Sequence, residues 1–314
     1  VTSTAEAMGT ATRGSTVRVR KRPLRDAVRA APWLLPAGLL IFGVVLFPAG
    51  YLVYDSTRTI GLAGVDQGSA GLGNYRQLWA GYELTHVLIN SAIWVVVVVA
   101  LTIVISLAIA QLLNNQFPGR RIVRMAVLVP WAASTVMTTL TFVYGLDPFY
   151  GVMNKLLVDL HILDEPYGFT KQPVPAFLTA IVVGIFVSLP FTTYTILAGL
   201  ANVPKEVLEA AQVDGASSIR RYFSIVLPFL RNAIALATLI NIINVFNSLP
   251  ILQLLTGSIP GYSADTTTTL VFKILQGEHN IGVASALSVI NFAIVLVVIA
   301  LYLRIVRPTK RIED

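Results

Sequence analysis

The sequence predicts an all-α membrane protein of six transmembrane helices, with a polar helical loop between the fourth and fifth. Three observations predict it. Apolar residues make up 55% of the 314 and charged residues 12%, about half the charged share that covers a water-soluble domain. Six apolar runs each approach or exceed the ~20 residues that cross a bilayer as a helix. Lysine and arginine concentrate in alternate connections between those runs, the charge bias of cytoplasmic loops.

Residues 1–30 read as a basic tail rich in Ser, Thr, Ala and Arg, without a hydrophobic period. Arg18, Arg20, Lys21, Arg22 and Arg25 are expected to lie disordered against anionic headgroups rather than on nucleic acid, because an apolar run follows directly. That run is too long for a cleavable signal peptide, and no small-residue cleavage site closes it. The runs fall at 33–54, 87–113, 125–144, 176–200, 232–255 and 281–303. They define a membrane domain over 31–306, followed by a short tail at 307–314. None of the six contains Asp, Glu, Lys, Arg or His.

Of the 23 basic residues, 18 lie in the N-terminal tail, the 114–124 and 201–231 connections and the C-terminal segment from Arg304 onward. Both termini and the 201–231 loop are therefore expected in the cytoplasm of a multi-pass inner-membrane protein. Among the outer connections, Gly71-Leu72-Gly73-Asn74-Tyr75 reads as an ordered turn. Val152, Met153, Leu156, Leu157 and Leu160 recur at helical spacing and predict a short interfacial helix. The 256–280 connection holds a Gly-Ser-Ile-Pro-Gly turn and a threonine run at 266–269. None of these is large enough to be a soluble receptor, so high-affinity capture of a substrate falls to another polypeptide.

Several chemistries are excluded or weakened. There is no cysteine for disulfides, iron–sulfur clusters or thiolate metal sites, and His86, His161 and His279 lack metal-helix spacing. No Gly-Lys dipeptide occurs, so the chain has no phosphate-loop lysine and energy must enter through a partner. Ionisable groups at membrane depth, which mark many ion-driven carriers, are missing from the spans. This weakens the reading of a self-contained carrier or channel without removing it, since Asn and Thr also coordinate sodium.

The polar residues within the spans are amides and hydroxyls. On a 3.6-residue helix Asn241, Asn244 and Ser248 share one face, with Pro250 just beyond. The fourth span carries Ser188, Pro190, Thr192, Thr193 and Tyr194. Such groups either join helices through hydrogen bonds or line a wet path. Uncharged amides and hydroxyls suit a neutral polyol, whose hydroxyls both donate and accept. Phe186, Phe191, Phe246 and Trp131 are available to stack on a sugar ring.

Loop 201–231 predicts two helices around a tight turn. Pro204 suits a first helical turn, Glu206 and Glu209 favour the positive end of the dipole, and Gly215 suits a left-handed stop. A rod over 204–214 would be roughly 16 Å long. Ser217 or Ser218 would cap the next helix, which continues through Leu227-Pro228 into the fifth span. Together the loop reads E-A-A, three residues, G, nine residues, I-x-L-P, at Glu209-Ala210-Ala211, Gly215, Ile225, Leu227 and Pro228. Seven fixed identities, each near ~7% in frequency, coincide by chance at roughly one start position in 10⁸.

This pattern resembles the ATPase-docking loop of ABC importer permeases, and the wider resemblance covers about residues 30–308. Gly73-Asn74-Tyr75, Asp214 before the loop glycine, and Leu254-Leu255-Thr256 are similar to the carbohydrate-uptake branch. The chain resembles the first of that branch's two permeases, as in maltose and glycerol-phosphate importers, and is similar to mycobacterial trehalose-importer permeases. The resemblance implies a type I importer permease fold that moves a neutral sugar, such as trehalose, inward. It implies a second homologous permease, ABC ATPase subunits that bind the ATP and Mg, and an extracytoplasmic sugar-binding lipoprotein. Membrane lipid is the remaining expected contact, and no cofactor is expected on this chain. Glu206, Glu209, Ala210, Ala211, Asp214, Gly215, Ala216, Ile225, Leu227 and Pro228 would dock the ATPase. Ser188, Phe191, Thr192, Asn241, Asn244, Val245 and Ser248 would contact the sugar. Val245 departs from the polar residue of the maltose-type relative, which leaves the sugar open; glycerol phosphate or another small solute is the alternative cargo.

Overall fold

The structure is a computed structural model that describes residues 23–61 and 64–306. The chain divides into two compact units at Tyr51 and Leu52. The first contributes helix α1 (Pro23–Leu40), a π-helical segment at Ile41–Leu46, and the start of α2 (Phe47–Asp55). Pro48 explains the π segment, because its ring presses on the carbonyl four residues back. Widening the preceding turn, where the Phe47 N–H bonds the Phe42 carbonyl, relieves that pressure. Of the tail expected over 1–30, residues 1–22 lie outside the described residues, and 23–30 form the first turns of α1. The tail at 307–314 also lies outside them.

In the second unit, β1 (Arg58–Ile60) and β2 (Asp66–Ser69) form an antiparallel hairpin with an irregularity between Thr59 and Ile60. Then comes α3 (Gly73–Gly81). The glycine-rich stretch expected to be a turn is thus the start of a helix. Its buried Asn74 donates Nδ2 to the carbonyls of Ser56 and Arg58, both at 2.9 Å, tying helix to hairpin. The remaining elements are α4 (Leu84–Asn114), α5 (Arg120–Ala132), α6 (Thr135–Gly145), α7 (Val152–Asp159), α8 (Pro173–Leu200), α9 (Lys205–Val213), α10 (Ser218–Arg221), a π segment at Tyr222–Val226, α11 (Leu227–Phe229), α12 (Arg231–Phe246), α13 (Leu249–Thr256), α14 (Thr267–Gly277) and α15 (Ile281–Val306). The expected short helix after the third span is α7. Among the described residues, four helices are long and apolar enough to span a membrane, and six spans result when each of two bent pairs counts as one.

One bend divides the predicted third span, and the other breaks the helix expected to continue from Leu227-Pro228 into the fifth. The run at 125–144 is α5 and α6, which meet at 97°. Pro130 leaves one carbonyl of α5 without its N–H, and Ala133 and Ser134 are extended (ψ 147° and 139°). The fifth span enters at 64° from the helix before it, and α12 then ends at Phe246 instead of running to Leu255. Pro250 supplies no N–H to the Phe246 carbonyl, and that carbonyl accepts the Thr268 hydroxyl instead, at 3.0 Å. A freed backbone group inside a membrane protein needs such a substitute.

Helices α4, α8 and α12 carry the core. The Trp94 indole is buried, donates Nε1 to the Val245 carbonyl at 2.7 Å, and lies against Gly184. At one end of the bundle Leu78, Tyr82, Leu84 and Val87 pack with Leu270, Ile274, Val283 and Leu287. At the other end Ala110, Ile196 and Leu200 pack with Val226 and Leu230.

Helix α14 escaped the sequence reading because its threonine-rich start hides the apolar period. Thr266 and Thr269 form a reciprocal capping box. The turn before it is held by Asp265, whose side chain is fully buried and pairs with Lys273 at 2.8 Å. The same ammonium donates to the carbonyls of Ile259 and Gly261, and Asn90 of α4 donates to those of Ser263 and Asp265. Burial raises the Asp265 carboxyl above its ordinary range, and Lys273 opposes that shift.

Two stability predictions follow from these contacts. A Cβ at Gly184 would sit 2.7 Å from Cη2 of Trp94, so Gly184→Ala should cost about 1–3 kcal/mol in thermal unfolding of the detergent-solubilised protein. Lys273→Met strands a buried carboxylate, and about 3 kcal/mol should be lost at neutral pH. Without the lysine, burial outweighs the Thr269 hydroxyl bond that remains on Asp265, and its folded-state pKa lies above the unfolded one. The loss should therefore vanish below pH ~4 and grow as pH rises through the folded pKa.

Candidate functional sites, a polar cavity and an exposed loop

Where α12 stops, a cavity of about 360 Å³ opens between α4, α5, α6, α8, α12 and α13. Six of the seven side chains selected from sequence line it: Ser188, Phe191, Asn241, Asn244, Val245 and Ser248. Thr192, the seventh, lies behind the wall. It is fully buried, and its hydroxyl accepts an N–H of Asn241 at 2.7 Å. The second N–H of Asn241 goes to the Ala237 carbonyl at 2.9 Å. Both donors are engaged, and Oδ1 is the acceptor that remains. Asn244 is exposed, while Val245 is 3% exposed and acts mainly through its carbonyl bond to Trp94. Ser248 lies in the helix break rather than on a continuous helical face, and the break keeps it on the same cavity.

Two of the four candidate stacking aromatics reach the cavity, Phe191 and Trp131. Phe186 packs edge-on against Phe142 instead, and Phe246 faces other cavities. Trp131 and Thr135 arrive through the bend between α5 and α6, where Pro130 marks a weak point but not the 97° angle. Trp94 and Gly184 complete the wall, and their contact joins residues far apart in sequence. No lining side chain carries a charge.

The loop after α8 forms a second, separate surface. Helix α9 has nine residues, two fewer than expected, because Pro204 is extended (ψ 130°) and stands at the N-cap rather than in the first turn. Glu206, Glu209 and Ala210 are exposed, and Ala211 and Ala216 are half-buried. Asp214 is the C-cap, and Gly215 follows in the left-handed region at φ 76°. The N–H of Ala216 returns to the Ala211 carbonyl and that of Gly215 to Gln212, a Schellman closure. No atom lies within 4 Å of a Cβ placed on Gly215, so the backbone angle, not space, calls for glycine. Ser217 caps α10 by accepting the Arg220 N–H. Ile225 and Leu227 are half-buried on either side of buried Val226, and Pro228 is exposed. The same loop also carries the exposed apolar side chains Val213, Ile219 and Phe223.

Helix α8 connects the two surfaces. Ser188 and Phe191 face the cavity, and the same helix ends at Leu200, five residues before α9.

Residues 102–311 match the family described as binding-protein-dependent transport system inner membrane component. The chain belongs to that family, and is a multi-pass inner-membrane transport component with the fold of an ABC importer permease. It is 34% identical over 272 residues to a probable ABC transporter permease of Brucella suis, covering 87% of this chain and 94% of the relative. It is 31% identical over 287 residues, 90% of each chain, to the trehalose transport system permease of Mycobacterium tuberculosis. Among solved structures, a bacterial importer of the acidic polysaccharide alginate superposes with a TM-score of 0.79 at 20% identity, covering 94% of this chain and all of the other.

Thr192→Val should leave an Asn241 N–H buried without its acceptor and cost about 1–3 kcal/mol. Thermal unfolding checks this, and adding Asn241→Leu should recover part of the loss by removing the stranded amide.

Proposed function

We propose that this chain is the membrane-spanning subunit of an ABC importer for a neutral sugar of disaccharide size, with trehalose the first candidate. The carrying observation is the uncharged cavity at the helix break, where amides, hydroxyls, Trp131 and Phe191 converge. Its ~360 Å³ is at the small end for an organic ligand, which suits a half-site completed by a second, homologous permease. An anionic cargo such as glycerol phosphate would call for a cation, and the lining has none. The similarity to a trehalose permease supports the same class of cargo.

In this reading Asn241, Asn244 and Ser248 hydrogen-bond the sugar, and Ser188 supplies a hydroxyl from α8. Phe191 and Trp131 offer faces for its apolar side. Thr192 orients Asn241, and Val245 shapes the wall. The α9 loop is cytoplasmic, as are both termini, and docks an ATPase subunit that binds ATP and Mg. Glu206, Glu209, Ala210, Ala211, Asp214, Gly215 and Ala216 form the docking face, and Ile225, Leu227 and Pro228 join it to α12. An external sugar-binding lipoprotein delivers the cargo. ATP shifts access only through preference for one ATPase arrangement, which α9 and α8 pass to the cavity.

The two surfaces separate experimentally in the reconstituted complex. Asn244→Leu should reduce sugar uptake roughly tenfold, the effect of about one hydrogen bond, with the ATPase still bound. Gly215→Val forces a β-branched residue into left-handed backbone and should release the ATPase and abolish uptake, with sugar affinity of the lipoprotein unchanged. Normal uptake by both variants would defeat the reading.

A further inference from the structure

We propose that the groove holding Asn291, between the α12–α13 break, α14 and α15, is where a helix of the second, homologous permease docks and donates a hydrogen bond within the membrane. Asn291 is the eleventh of the 26 residues of α15. That places it about 15 Å from the helix start, near the middle of a ~30 Å hydrocarbon layer. Its Oδ1 is buried and has no hydrogen-bond partner among the described residues. A polar atom left so at that depth is costly. The groove, about 510 Å³, also receives Asn247, Thr268 and Ser288. None of them is the missing donor, because each directs a donor to this chain's own backbone. Asn247 bonds the Ile243 carbonyl at 2.8 Å, Thr268 that of Phe246 at 3.0 Å and Ser288 that of Ala284 at 2.8 Å.

The occupant follows from the depth and the lining. Acyl chains would cover the groove's Phe292 and Leu275, which are 55% and 42% exposed, yet hydrocarbon has no donor for Oδ1. The chain's own first span has no polar side chain between Leu34 and Gly50, so it supplies none at that depth either. A sugar brings donors, but its hydroxyls also accept, and Thr268 and Ser288 have turned their only protons to the backbone. A lone water would meet Oδ1 and leave the apolar walls uncovered. A membrane helix meets both demands, since an amide or hydroxyl on it donates to Asn291 across the contact while its apolar side chains fill the rest. The inference rests on the reading of this chain as one of two permeases, and adds which face the second one meets. Asn247 and Ser248 are adjacent in the helix break, the first lining this groove and the second the sugar cavity. The docked helix therefore bears on the same break that opens the cavity.

The chain contains no cysteine, so Asn291→Cys offers a unique thiol for a benzophenone maleimide. Irradiation of the labelled, purified complex should join this chain to the second permease. Asn291→Leu should weaken association of the two permeases roughly threefold to tenfold, the range of one hydrogen bond between membrane helices, and Asn291→Gln should retain it. In the full chain without its partners the same leucine should raise the unfolding temperature, because it removes a stranded amide. A lowered unfolding temperature there would overturn the proposal in favour of a contact within the chain. Adducts with phospholipid alone, or protection of the thiol by trehalose, in a complex that still holds the second permease would overturn the docking face and leave the importer reading standing. Unchanged association of the leucine variant would do the same. Failure of the native chain to co-purify with any second permease would overturn the importer reading itself, and this inference with it.

Discussion

The indole of Trp94 holds this fold together at the level of the polar cavity. The ring fits a notch that only glycine provides, at Gly184, and its N–H secures the Val245 carbonyl of α12. Three membrane helices are thereby fixed one residue before α12 stops. The stop itself obeys a membrane constraint, that every freed backbone group must find a partner within the protein. Thr268 supplies it to Phe246, and the chain is then free to turn through Asn247 and Ser248. A polar cavity at this depth therefore rests on one large aromatic, one missing side chain and one borrowed hydroxyl.

The same economy links the cavity to the exposed loop. Gly199, near the end of α8, faces Leu230 and Ala233 so closely that a Cβ would lie 2.6 Å from Ala233. The end of α8 and the start of α12 are therefore packed backbone to side chain where the 64° bend occurs. Displacement of α9 meets α8 within five residues, and α8 meets α12 at that contact. Cavity walls on both helices are thus connected to the loop through short, close-packed segments rather than flexible linkers.

Much of this was legible in the sequence, for definite reasons. Apolar runs reveal spans because hydrocarbon admits little else, and the loop motif revealed its own turn because Gly215 must be left-handed. Asn241 and Asn244 were found by periodicity, which survives wherever a helix is regular. What stayed hidden was set by distant partners. Pro130 marks a weak point in the third span but does not fix the 97° bend at Ala133 and Ser134, and the notch for Trp94 is formed by a glycine ninety residues away. Helix α14 is capped by threonines that resemble a loop, and Asp265 carries no sequence signal of burial, which comes from its partners Lys273 and Thr269. Thr192 was placed among the lining residues, whereas its hydroxyl is consumed in holding Asn241.

Membership of the transport family fixes the class of protein, and the proposed function assigns cargo to the cavity and energy to the loop. The central claim is that this chain moves a neutral sugar only when an attached ATPase drives it. Uptake of labelled trehalose into proteoliposomes, with the chain alone or with its ATPase, second permease and lipoprotein, tests it most directly. The account predicts accumulation that needs the whole assembly and ATP, and none by the chain alone. Accumulation by the chain alone, or without ATP, would contradict it.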